Sequence, residues 1–293
     1  MSFKNSSITV VLNGYKRQKF LNYQIDTVKN QTISPNEILI WNNGDYIDFS
    51  NFHENIFIAN SSKNFGVWSR FSFALNAETE YICVLDDDTM PGKRFFENCL
   101  STMQVSPGLL GARGLRFLSK NRYQPHKSFG WDNPNETLQV VDIVGHAWFF
   151  KREWLCYFWR ELPLSNFSRL VGEDIHFSYT LKKYAGIKTI VPPHPLNNTD
   201  FWGSDPEMAL RLGTGTESIS QDDAVLDKFD KVLSIYTSAG FKLYKEEKDE
   251  KHLVIGPGIS RFAIIKKIAS NFPMIRKFGK YLKDFLASKN IHI

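Results

Sequence analysis

Tyr81-Ile82-Cys83-Val84-Leu85-Asp86-Asp87-Asp88 is the stretch on which the reading of this chain turns. Five largely apolar residues, the length of a buried strand, run directly into three carboxylates. In extended backbone, side chains two residues apart point to the same side, so Asp86 and Asp88 can approach one ion together. Hard cations such as Mg²⁺ or Mn²⁺ take carboxylate oxygens and often share their shell with substrate phosphates. Without a counter-ion, three adjacent carboxylates repel and raise each other's pKa. A plainer reading is a solvated acidic turn that caps a helix beginning after Pro91. A calcium loop is disfavoured, because Met90 and Pro91 stand where such a loop needs a ligand and a glycine. The residues alone leave the metal site and the capped turn both open.

Working back from this stretch, the chain alternates between strands and helices. Ile8-Thr9-Val10-Val11-Leu12 is a short β-branched run, and Asn13-Gly14-Tyr15 breaks it. A helix is expected over 17–30, a strand over 37–41, a turn at Asn42-Asn43-Gly44-Asp45, a strand over 56–59 and a loop then helix over 64–77. Such alternation implies a mostly parallel sheet flanked by helices. Ligands of open α/β sheets bind at the carboxyl ends of the strands. Asn13, Asn42-Asn43 and the acidic run fall at three of those ends.

Beyond residue 105 the pattern is more mixed. A single strand is expected over 140–145, followed by an apolar run over 147–150 and helical stretches over 153–159 and 173–184. A further strand is expected over 187–191, closed by Pro192-Pro193. Residues 197–222 are rich in Asn, Ser, Thr, Gly and Asp and read as a long loop of the kind that serves as a lid. A helix is expected over 223–238. Gly256-Pro257-Gly258 then marks a hinge before a basic tail.

Composition narrows the class. The 293 residues are 42% hydrophobic, enough for a sizeable core. Three cysteines with no CxxC pair argue against a disulfide scaffold or a zinc site and suit a reducing compartment. No signal peptide or membrane-spanning stretch is evident, so a cytoplasmic protein is expected. Residues 258–293 hold eight Lys or Arg and one Asp, whereas the whole chain is only +5, so the body is slightly acidic. This charge pattern argues against a nucleic-acid-binding core. The tail has two apolar stripes backed by basic faces. It suits an anionic membrane surface, the inner face of a membrane included, and equally a contact with the catalytic domain or with a second subunit.

Taken in order, residues 8–15, 37–45, Asn64-Phe65-Gly66 with Arg70, and 81–88 resemble the GT-A fold glycosyltransferases, whose signature is a DxD element. The first half is similar to glycosyltransferase family two. Trp41-Asn42-Asn43, Asp86-Asp87-Asp88-Thr89 and Glu173-Asp174-Ile175 also resemble the exostosin-type transferases, which retain anomeric configuration. Asn42-Asn43-Gly44 departs from the Asp-rich turn that grips the nucleobase in family two.

The resemblance implies a GT-A (Rossmann-like) α/β domain over 1–255, with a nucleotide-sugar half over 1–105 and an acceptor half over 106–255. A basic amphipathic helical extension over 258–293 follows. It implies transfer from a nucleotide-diphosphate-sugar, a UDP-sugar foremost, to a carbohydrate or lipid-linked acceptor in surface polysaccharide or glycoconjugate synthesis. A sugar-phosphate nucleotidyltransferase and an inactive carbohydrate-binding relative are the alternatives. By the same resemblance, Asp88, Asp86 and His194 would hold Mn²⁺ or Mg²⁺. Asn13, Gly14, Tyr15, Asn42, Asn43, Asn64, Arg70, Asp86, Asp87 and Gly145 would face the donor. Glu173, His146 and Trp148 would meet the acceptor. Asp174, with Glu173 beside it, would be catalytic: a general base in an inverting enzyme, a stabiliser of positive charge in a retaining one. Arg70 otherwise reads as a helix-surface charge, Trp148 as core, and Asp87 as the acid most tolerant of change.

Overall fold

The computed structural model describes residues 6–15, 17, 20–48, 55–164, 169–205, 207 and 223–247. The basic tail, the hinge before it and most of the expected 197–222 loop lie outside the described residues. The first half alternates as its apolar runs require: β1 (Ile8–Gly14), α1 (Leu21–Lys29), β2 (Glu37–Asn42), β3 (Ile56–Asn60), α2 (Ser69–Phe73), β4 (Tyr81–Leu85) and α3 (Phe95–Val105). There follow β5 (Gly108–Leu110), β6 (Arg113–Phe117), β7 (His126–Gly130), β8 (Gln139–Val141), β9 (Ile143–Gly145), β10 (Ala147–Lys151) and α4 (Leu155–Phe158). The described chain closes with α5 (Glu173–Ala185), β11 (Lys188–Val191) and α6 (Asp223–Ser238).

Eight strands form the main sheet in the order β3-β2-β1-β4-β10-β5-β11-β8. The four strands from β3 to β4 are mutually parallel, as are β5 and β11, whereas β10 and β8 run antiparallel to their neighbours. β1 and β4 are buried almost throughout, which is why they read as continuous apolar runs. Helices cover the sheet, and one core, including Val10, Val84, Phe96, Phe149 and Phe177, fills the space between.

The expected strand over 140–145 is in fact two strands in two sheets. Val140 pairs with Ile190 in the main sheet, and Ile143 pairs with Leu115 in a three-stranded sheet ordered β7-β6-β9. Asp142 is the break. Its buried carboxylate accepts the N–H groups of Phe117 (2.7 Å) and Tyr244 (2.5 Å), so this residue serves the backbone of two other segments. A buried carboxylate without such partners would be costly, and the strand yields at this point. The small sheet, α5 and α6 enclose a second core around Leu115, Ile143, Val171, Ile175 and Tyr236. All three cysteines are free. Among the described residues, no helix is long and apolar enough to cross a membrane.

Candidate active site

At the carboxyl end of β4 the chain leaves the sheet through Asp86, Asp87 and Asp88, and these residues line a cavity of about 290 Å³. Gln24 on α1 holds the turn by donating from Nε2 to the carbonyls of Asp86 (2.7 Å) and Thr89 (3.0 Å). His146 holds it from the other side. β10 lies antiparallel to β4 with Ala147 opposite Leu85, which sets His146 beside Asp86. The His146 carbonyl accepts Asp86 N (3.0 Å) and Thr89 Oγ1 (2.9 Å). His146 has φ +64°, a left-handed conformation that only a few per cent of non-glycine residues adopt and that recurs at functional sites.

That conformation carries the imidazole to the acidic run, with Nδ1 3.7 Å from Asp88 Oδ1. One ligand atom each from Asp86, Asp88 and His146 falls within 4.8 Å of the others. Two carboxylates and one imidazole suit Mn²⁺ or Mg²⁺ sharing its shell with phosphate oxygens. Burial disfavours the charged imidazole, but the carboxylates of Asp88 and Asp86 outweigh it and leave the His146 pKa above its ordinary value.

Two arginines offset the clustered charge. Arg17, just after β1, donates to Asp87 (2.6 Å) and lies 3.5 Å from Asp88. Burial pushes the Asp87 carboxyl up to about 7, against the pull of Arg17 and with the repulsion of Asp88. Arg70 is not a helix-surface charge. It is 2% exposed, pairs with Asp86 and with Glu173 (2.9 Å), and stacks 4.4 Å from the Trp148 ring centroid. One buried guanidinium thus ties the acidic run to the start of α5. Trp148 is buried with one face covered by Arg70, and it also lines the cavity.

α5 begins at the cavity because Gly172 turns the chain with φ +98°, a conformation glycine takes without strain. Both Glu173 and Asp174 line the cavity; Glu173 is buried against Arg70, and Asp174 is half-buried, its Oδ1 accepting Ile175 N at 2.7 Å. Burial, then the Asp174 charge, raises the Glu173 pKa against the pull of Arg70. The Asp174 pKa is raised chiefly by burial, offset by the Ile175 N–H and Arg70. The loop before α5 can approach because Gly66 has no Cβ: one there would stand 2.0 Å from the Arg169 carbonyl.

Asn13, Tyr15, Asn43, Asn64 and Gly145 also line the cavity. Gly14 and Asn42 do not. Asn42 is buried and spends its side-chain amide on Asp45 O and Asn60 Oδ1, closing the turn after β2. Arg113 also reaches the cavity and pairs with Asp132. Arg116 is stacked on Phe129 and Tyr244 instead.

His194 stands apart from this group. It is fully buried; its Nδ1 faces Pro192 O at 2.9 Å and its Nε2 accepts Gly203 N at 2.9 Å. Both ring nitrogens are occupied by backbone, so the imidazole fastens the 192–203 segment and is not available to an ion beside Asp88. Burial lowers its pKa from 6.5 to about 4. The ring is therefore neutral when folded, and its stabilisation is complete above pH 6.5 and is lost as pH falls toward 4. His194→Gln should lower stability at pH 7, and its deficit against wild type should shrink by roughly 3 kcal/mol by pH 4. Urea denaturation at both pH values checks this. Metal-dependent nucleotide binding should persist in the variant.

Three groups at the cavity escaped sequence reading in their present roles. His146 lies beside Asp86 and Asp88, Arg17 pairs with the acidic run, and an apolar wall is built by β6, β9 and α6. An arginine three residues beyond a strand end was the one sequence signal for Arg17; the others depend on long-range pairing.

The family model described as Glycosyl transferase family 2 matches residues 8–158. A comparison with curated proteins gives no match. Among solved structures, the crystal structure of S. aureus TarS 1-349 in complex with UDP-GlcNAc is similar at 15% identity and TM-score 0.43, over 64% of this chain and 56% of that one. The crystal structure of S. aureus TarS 1-349 is similar at 13% identity and TM-score 0.46, over 79% of this chain and 70% of that one. The chain thus spans just over half of the first of these.

Proposed function

This chain belongs to glycosyl transferase family 2, and from that premise we propose that it is a metal-dependent glycosyltransferase using a nucleotide-diphosphate-sugar donor. The sheet is that of a GT-A domain. The observation that carries the proposal is the convergence of Asp86, Asp88 and His146 at the end of β4, with Asp174 on the same cavity. In this reading Asp86, Asp88 and His146 hold Mn²⁺ or Mg²⁺, and the ion, when bound, offsets charge on the departing nucleoside diphosphate. Arg17 and the His146 backbone keep the carboxylates in place. Asn13, Tyr15, Asn43 and Asn64 face the nucleoside, with a UDP-sugar as the donor. Asp174 takes the proton of the acceptor hydroxyl as that oxygen attacks the anomeric carbon. A base in this role implies inversion, which NMR of the product anomer would read directly. Glu173 positions Arg70.

We assign the acceptor to a surface glycan or glycoconjugate, and the 258–293 tail to an anionic membrane face on the cytoplasmic side. The tail's charge and the family support these assignments.

Thermal shift tests the donor site. UDP with Mn²⁺ should raise the melting temperature, and UDP with EDTA should not. With UDP at about 100 times its Kd, the stabilisation corresponds to roughly 2.7 kcal/mol. No response to any of the common nucleoside diphosphates, metal present, would sink the donor-site reading.

A further inference from the structure

The cavity has two unlike walls. Asparagines, arginines and the acidic run make one. The other is largely apolar: Leu115 from β6, Ile143 from β9, Val171 and Leu170 from the loop before α5, Phe229 from α6, and Tyr123, whose hydroxyl is its one polar group. Leu115, Ile143 and Val171 are at most 3% exposed and form its base, and Leu170, 38% exposed, stands at its edge. Tyr123 and Phe229 stack with ring centroids 4.7 Å apart and planes at 29°. Asp230, the residue after Phe229, accepts Tyr123 N (2.6 Å) and pairs with Arg122 (3.2 Å), so the aromatic pair is anchored to α6. Among the described lining residues, Arg113 and Glu173 lie two positions, and Asp174 and His146 three, from members of this wall; Arg113 is paired with Asp132 and Glu173 with Arg70.

A bare sugar placed here would find few hydrogen-bond partners beyond the Tyr123 hydroxyl, each unpaired group being costly. A group without hydroxyls would instead bury apolar area at a gain. Such a wall therefore selects for an apolar group and against a fully hydroxylated one. The nucleoside diphosphate matches the polar wall, and Asp174 lines the same cavity as both. Resting on the proposed donor site, we propose that Tyr123, Phe229, Leu115, Ile143, Val171 and Leu170 form an acceptor subsite for a glycoside with a hydrophobic aglycone. The acceptor presents its attacking hydroxyl to Asp174 and lays the hydrocarbon next to its sugar on this wall. A lipid-linked acceptor belongs to this class, and a free oligosaccharide does not.

The test uses the full chain with Mn²⁺ and UDP. Phenyl and methyl β-glycosides of glucose, galactose, N-acetylglucosamine and mannose are compared by isothermal titration calorimetry. At least one phenyl glycoside should bind 10-fold or more tightly than its methyl counterpart. Phe229→Ser should abolish that advantage, with Mn²⁺–UDP stabilisation as the folding control. Leu170→Asp, at an exposed position, should reduce it without threatening the fold. Equal affinity within every pair, in protein that responds to Mn²⁺–UDP, would overturn the subsite alone. An aryl advantage that survives both substitutions would do so too. Protein that ignores Mn²⁺–UDP altogether would overturn the donor-site reading beneath it.

Discussion

Asp174→Asn should lower kcat by about 10³-fold, within the range for losing a general base, while Mn²⁺–UDP stabilisation stays at the wild-type level. The structure separates this residue from its neighbour. Both line the cavity, but Glu173 is buried and spends a carboxylate oxygen on Arg70, whereas Asp174 is half-buried with its Oδ1 tied to a backbone N–H. Asparagine keeps the size and can still accept from Ile175 N, so the change removes proton acceptance and little else. The pH profile supplies a second check. Burial raises the Asp174 carboxyl above its ordinary value of 3.8, and a base works only when deprotonated. Activity should therefore fall with decreasing pH at a midpoint above the usual carboxylate range, set jointly by Glu173 and Asp174. Near-normal kcat in Asp174→Asn would reassign the base.

Arg70→Met should cost about 3–5 kcal/mol of stability, the range for removing one partner of a buried ion pair. Met fills much of the volume against Trp148 but leaves Glu173 buried without its cation and releases Asp86. Arg70→Lys should fall between, since one ammonium cannot reproduce a fork that reaches two carboxylates. Catalysis should fall in both variants, because a shift of about 1 Å at Asp174 or the acidic run can cost 10²-fold. Urea denaturation measures the first effect. A change below about 0.5 kcal/mol would mark Arg70 as an ordinary surface charge.

The acidic run and Arg70 show what could be read in advance. Asp86 and Asp88 were legible because a buried strand stops at them, and strand ends place ligand groups in α/β sheets. Strands β1, β2 and β4 and helix α6 lie where the apolar periodicity puts them. The burial of Arg70 had no local signal, because α2 spans only five residues and buries Ser69, Arg70 and Phe71 consecutively, leaving no periodic stripe to reveal its inner face. His146 reaches the acidic run through the antiparallel register of β10 on β4, a pairing no local pattern encodes. The 192–195 segment has the order of a ligand-bearing loop, yet its bridge to Asn135 turns His194 inward. β6 and β7 carry Arg113, Arg116, His126 and Lys127 among few β-branched residues, so the small sheet that builds the apolar wall left little trace.

Binding of Mn²⁺ in the presence of UDP, followed by the loss of the free-ion electron paramagnetic resonance signal, bears most directly on the metal site. Wild-type protein with UDP should remove the signal stoichiometrically, and folded Asp88→Ala should leave it largely free at the same concentrations. Equal Mn²⁺ uptake by wild type and Asp88→Ala would contradict the assignment of Asp86, Asp88 and His146 as the ion's ligands.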